Sequence, residues 1–298
     1  MQKIVPHLWF DNQAIDAAEF YVSLFGGDSD KTGITTLHGT PSGDVDSVTF
    51  NLLGQSFMAI SAGPMFTINP SISFYVQIDT VEEVDRLWNE LIKEGQMMMP
   101  LDKYPWSDRY GWLKDKYGLT WQISLGKKED TGGQIITPFL MFTGDVYGRA
   151  EEAIEHYTSI FHQSEVEGIL RFGKDEAPDR EGNVKHAQFT LEGQIFMIIE
   201  SAHDHSFGFN EAISLMVYCD TQDEIDYYWE KLNEGGDPEA QQCGWLKDKF
   251  GVSWQVAPRL LGEMIGNGSR EQIDRVTQTF LPMKKLDIAA LKKAYEEV

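Results

Sequence analysis

Gly111-Trp-Leu-Lys-Asp-Lys-Tyr-Gly-Leu-Thr-Trp-Gln-Ile-Ser124 returns as Gly244-Trp-Leu-Lys-Asp-Lys-Phe-Gly-Val-Ser-Trp-Gln-Val-Ala257, with nine of fourteen positions identical. A repeat of that quality makes the chain a tandem duplication, and a duplicated chain must fold as two like units. Its 298 residues suit two domains of ordinary size, roughly 100–150 residues each. The repeat also sorts the chemistry. A residue kept in both copies serves architecture, whereas one present in a single copy is a candidate for specialised work.

Hydrophobic periodicity gives each half two strand-helix-strand-strand-strand units. In the first half, Ile4 to Phe10 reads as a strand, and Ala14, Ala17, Ala18, Tyr21, Leu24 and Phe25 form one helix face ended by Gly26-Gly27. Strands are expected at 32–38, 47–53 and 56–62. The second half repeats the order, with a strand at 136–142, a helix facing inward through Ala150, Ala153, Ile154, Tyr157, Ile160 and Phe161, and strands at 165–172, 185–191 and 194–200. The later unit of each half opens on a strand, 73–78 or 214–219, closed by Asp-Thr. Thr80 with Glu83, and Thr221 with Glu224, have the spacing of a helix capping box. These readings predict domains at 1–126 and 135–258, joined by a polar, glycine-containing linker at 127–134. A helical extension at 259–298 has no counterpart in the first half, and packing over an exposed sheet or the junction of the halves is its expected use.

Composition excludes several function classes. The formal charge is −22, from 47 acidic and 25 basic residues, so nucleic acid and anionic membrane surfaces are disfavoured as partners. No apolar run approaches the roughly 20 residues of a membrane span. The N-terminus enters a strand-like pattern directly, and the two cysteines, Cys219 and Cys243, lack metal or disulfide spacing. A cytoplasmic location is the expectation. There is no Gly-x-Ser-x-Gly elbow, no phosphate-binding P-loop and no glycine-rich turn for a dinucleotide or S-adenosylmethionine.

Pro6-His-Leu-Trp-Phe10 with Ala17-Ala-Glu-Phe-Tyr21, Phe209-Asn-Glu-Ala-Ile-Ser214, the segment at 248–255 and Met283-Lys-Lys-Leu-Asp-Ile-Ala-Ala-Leu291 together resemble the PhnB-like group, also described as 3-demethylubiquinone-9 3-methyltransferase-like. That group lies within the vicinal oxygen chelate superfamily of glyoxalases, bleomycin-resistance proteins and extradiol dioxygenases. The resemblance implies an α+β fold of two tandem glyoxalase-like domains. Each would consist of two βαβββ modules forming a curved eight-stranded sheet, with a ligand on the concave face. It also implies a fused version of the dimers formed by single-domain relatives, and leaves self-association open.

Metal-using relatives carry His or Glu at positions that fall here on Ser73, Gln122, Ser214 and Gln255, with a fourth near Ser61 or Glu200. The first strand offers His7 in one half and Phe139 in the other. Hydroxyls and amides are weak ligands for a divalent transition metal, so no cofactor is expected. Strand alternation turns His7, Trp9 and Gln122 toward the concave side. Arg109, beside Trp106 and Tyr110, could grip a carboxylate. Glu200, at the cavity mouth, with His203 and His205 beyond, is the densest remaining group of metal-ligand candidates. The expected function is binding of a small, partly aromatic or apolar molecule without a catalytic metal. The alternative is a metal-dependent isomerase, lyase or dioxygenase using the less degenerate cavity.

Overall fold

The computed structural model describes residues 2–297. Four βαβββ modules follow one another along the chain. Module 1 contains β1 (Ile4–Phe10), α1 (Ala14–Phe25), β2 (Asp30–Thr40), β3 (Gly43–Leu52) and β4 (Gln55–Ser61). Module 2 contains β5 (Ile72–Ile78), α2 (Val81–Leu91), β6 (Gln96–Tyr104), β7 (Ser107–Lys114) and β8 (Thr120–Leu125). Module 3 contains β9 (Ile136–Phe142), α3 (Ala150–Ile160), β10 (Glu165–Arg171), β11 (Val184–Leu191) and β12 (Gln194–Glu200). Module 4 contains β13 (Ile213–Cys219), α4 (Gln222–Leu232), β14 (Asp237–Gln242), β15 (Trp245–Lys247) and β16 (Ser253–Pro258). The tail adds α5 (Arg259–Asn267), α6 (Arg270–Phe280) and α7 (Ile288–Glu296).

The two eight-stranded sheets are present, but each is assembled across the duplication. One runs β14-β15-β16-β13-β1-β4-β3-β2 and so joins modules 1 and 4; the other runs β10-β11-β12-β9-β5-β8-β7-β6 and joins modules 2 and 3. We call them the terminal and central cups. The expected blocks 1–126 and 135–258 are therefore sequence repeats rather than separate cups. The physical reason lies in the connections. The short linker after β8 lets β9 lie antiparallel beside β5 in the same sheet, while the segments 62–71 and 201–212 carry the chain from one sheet to the other.

A pseudo-two-fold relates the halves. β1 pairs with β13 as β9 pairs with β5. The two crossing segments exchange equivalent bonds: Asn69 Nδ2 donates to Gly208 O and Asn210 Nδ2 to Thr67 O. Gln194 donates to its own counterpart, Gln55, at 3.1 Å. Such self-complementary contact is the mark of an isologous interface, here inside one chain.

The repeated motif explains how a half stays together although its modules belong to different cups. Asp115 Oδ2 accepts from Tyr21 Oη of α1 at 2.7 Å and Trp121 Nε1 at 2.8 Å, and its Oδ1 accepts from the amides of Tyr117 and Leu119. Asp248 does the same with Tyr157, Trp254, Phe250 and Val252. Each carboxylate ties a helix of one cup to a strand of the other, inside the convex-side core. Burial raises both carboxyl pKa values, Asp248 to about 6, against the donors that favour the anion. Gly111 is obligatory for a related reason: a Cβ there would lie 2.4 Å from the Trp88 ring of α2.

Helix caps follow the sequence in part. Thr80 accepts from Glu83 N and Thr221 from Glu224 N, as the capping-box spacing requires. No described helix is long and apolar enough to cross a membrane.

Candidate functional site

Alternation along each strand decides what faces the concave side. In the terminal cup the register sets Met58, His7, Ser214, Ser253 and Lys247 in one row, with Met216, Gln255 and Trp245 in the next. In the central cup the matching rows are Met197, Phe139, Ser73, Thr120 and Lys114, then Tyr75, Gln122 and Trp112. The candidates His7, Ser214 and Gln255 thus belong to one cup and Ser73 and Gln122 to the other. Sequence halves do not separate them; sheets do.

The terminal cup is stoppered by the tail. Leu261, Phe280, Met283 and Leu286 pack on Met58, Met216, Tyr218 and Ala257 of its inner face. The tail is pinned by Cys243 N and Gly244 N donating to Met283 O and Lys284 O. Cys243 Sγ also donates to Leu281 O at 3.0 Å. Beneath this plug His7 is 2% exposed and meets Trp245 edge-on at 5.4 Å. Its Nδ1 has no hydrogen-bond partner, and Ser253 Oγ in the same row has none either. Burial lowers the His7 pKa to about 3, so the ring is neutral at ordinary pH. Trp9 packs on Phe66 and donates its indole N–H to Gly63 O at 2.7 Å, which makes it a wall residue.

Among the described residues, no helix of the tail packs on the inner face of the central cup. Its interior carries a directed chain: Tyr110 Oη donates to Gln122 Oε1, and Gln122 Nε2 donates to Ser73 Oγ, each at 2.8 Å. The terminal cup keeps only the last link, Gln255 Nε2 to Ser214 Oγ at 2.9 Å, because Cys243 stands where Tyr110 does. Around the chain lie Tyr75, Phe139 and His186, with ring centroids 6.5 Å and 5.8 Å apart in turn. The linker closes one end of this cup. Gln77 donates to Lys127 O, and Gln188 to Asp130 O. Burial lowers the pKa of His186 as well.

Three expectations are corrected. Glu200 is not at a cavity mouth: it is buried on the helix side, where Oε1 accepts from Ala150 N at 2.7 Å and Oε2 from Val184 N at 2.8 Å. It is the counterpart of Ser61, whose Oγ accepts from Ala14 N at the start of α1. Both hold the N-terminus of their module's helix, which satisfies a donor the helix cannot satisfy itself. His203 and His205 stay in the loop beyond, His205 bonded to Ser201 Oγ, and neither joins Glu200 in a ligand set. Arg109 points to the convex side and grips Asp85 of α2 at 2.7 Å.

The fit of a metal can be judged from the donors alone. The inner faces offer one imidazole in each cup, His7 and His186, and lysines, hydroxyls, amides and apolar groups otherwise. Among the described residues, no group of three or more His, Cys, Asp or Glu is placed to hold an ion. These residues do not fit the chelating site that the resemblance implies. Sequence reasoning missed His186, although the alternation of β11 marks it as inward-facing. Two surface depressions, about 530 Å³ beside Trp229 and Lys285 and about 260 Å³ beside His162 and Tyr227, lie on α4 outside both cups.

Paired βαβββ modules curled into eight-stranded cups, with helices on the convex face, define a glyoxalase-like fold. Glyoxalase I from Zea mays shares this fold at a TM-score of 0.50 and 12% identity, over 85% of this chain and 92% of its own. The chain belongs to the 3-demethylubiquinone-9 3-methyltransferase family, whose model matches residues 2–124 and again 134–257. The PhnB protein of Bacillus cereus is 39% identical over 42% of this chain and 100% of its own, with a TM-score of 0.39. FosX, a fosfomycin resistance protein from Listeria monocytogenes, is 13% identical over 42% of this chain and 92% of its own, at 0.32. No curated protein matches the chain significantly.

Proposed function

We propose that this protein binds one small, partly aromatic or apolar molecule per chain, in the central cup and without a resident metal. The contrast between the cups carries the reading. The terminal cup's inner face is occupied by the chain's own tail, whereas the central cup offers aromatic walls around a neutral, directed hydrogen-bond chain. A few placed polar groups within an apolar wall are what a small-molecule site needs. An isomerase, lyase or dioxygenase of the chelating type would instead require three strong ligands around one ion.

Thermal-shift screening of a small-molecule panel, with and without divalent cations, tests the proposal. A ligand of the native state must raise the melting temperature, by about 2.7 kcal/mol of stabilisation at a hundredfold excess over Kd. Stabilisation by an aromatic compound without added metal, lost in Tyr75→Ala but kept in Met58→Ala, is the expected result. Stoichiometric Zn, Mn, Fe or Ni in untagged protein would overturn it.

A further inference from the structure

Resting on that reading of the central cup, we propose that its ligand carries a carboxylate, received between Lys114 and Trp112. The two copies of the Gly-Trp-Leu-Lys motif differ here in one respect. In the terminal cup Lys247 is neutralised by Glu211 at 2.8 Å. The position equivalent to Glu211, one residue after Asn69 as Glu211 follows Asn210, is Pro70. No carboxylate of the described residues lies within 4 Å of Lys114. It is half-buried, on the same strand face as Trp112, since Leu113 between them enters the convex core. A half-buried cation with no carboxylate partner is free to pair with an anion on a ligand.

Trp112 supplies the second donor. Its indole N–H is buried with no hydrogen-bond partner, and a buried donor left unmade is costly. An acceptor on a ligand removes that cost. The neighbouring Gln122 is not the indole's partner: its Oε1 accepts from Tyr110 and its amide nitrogen donates to Ser73. Lys114 and Trp112 therefore present two donors and no acceptor, a pattern that selects an anion over an amide. The remaining wall accommodates an apolar body. Met99 faces Trp112 across the strand pair, and Met141 and Met197 lie toward Phe139. Unbranched methionines re-pack readily around an incoming ring.

The test uses full-length protein with benzoate, 2-naphthoate and the matched amides as probes, read by calorimetry and by tryptophan fluorescence. The carboxylates are expected to bind at least tenfold tighter than the amides. Lys114→Met, which keeps the stem but not the charge, should weaken the carboxylates about tenfold and leave the amides unchanged. Pro70→Glu, which supplies the carboxylate found in the other copy, should have the same effect without removing Lys114. Equal binding of acids and amides, or acid binding indifferent to both variants, overturns the anion inference while leaving a small-molecule cup intact. Failure of acids and amides alike in the native protein sinks both.

Discussion

The terminal and central cups share strand order, register and core, yet among the described residues the tail packs on the inner face of only the terminal one. In the terminal cup, histidine sits under the tail and lysine is paired with Glu211. In the central cup, phenylalanine takes the histidine's place and the lysine stands alone. The convex side drifts less: Ser61 and Glu200 differ there, but Asp115 and Asp248 keep four equivalent donors each. The contrast teaches that packing constrains the helix side of these sheets tightly, while the inner rows are free to diverge once the sheet itself is secure.

The shared part should break first and equally. Asp115→Ala and Asp248→Ala each strand two buried amides, a tyrosine hydroxyl and an indole N–H, so a loss of about 3–5 kcal/mol is expected in urea unfolding of either variant. Markedly unequal losses would show that the two halves are not held alike.

The inner rows should then separate. Because the folded His7 pKa, about 3, lies below its unfolded value near 6.5, the native state binds fewer protons between those limits. Stability supplied by the neutral ring is full above pH 6.5 and declines as pH falls toward 3, by at most about 1.4 kcal/mol per unit. His7→Phe, which installs the central cup's residue, should flatten that part of the stability-versus-pH curve.

Loosening the plug is next in size. Leu286 of the tail is 1% exposed against the inner face, and Leu286→Ala should cost about 2–3 kcal/mol and admit a hydrophobic dye to the terminal cup. Unchanged dye binding would mean that the plug does not depend on this residue. Smallest should be the helix anchors. Ser61→Ala is expected to lose about 1 kcal/mol and Glu200→Ala somewhat more, since two amides rather than one lose their acceptor. Melting curves would rank them.

The elements were legible because periodicity reports which face of a strand or helix is apolar. β12 (Gln194–Glu200) begins and ends where that pattern does, and the inner rows follow from alternation once a register is known. Partnership was not legible, because β1 carries the same alternation whether it meets β5 or β13. Glu200 misled for a similar reason: a carboxylate at a strand end serves a cavity or a helix start equally well until the fold chooses, and Ser61 in the other copy was the clue. The unpaired state of Lys114 was hidden because it depends on Pro70, which is distant in sequence.

Crosswise pairing has an implication for how such a molecule can change. A symmetric pair of identical chains must carry every altered residue into both of its pockets at once. Here each pocket borrows one wall from either half of a single gene, so a substitution marks only one of them. The covalent join thereby lets one cup take the tail against its inner face while its twin carries a different set of inward residues.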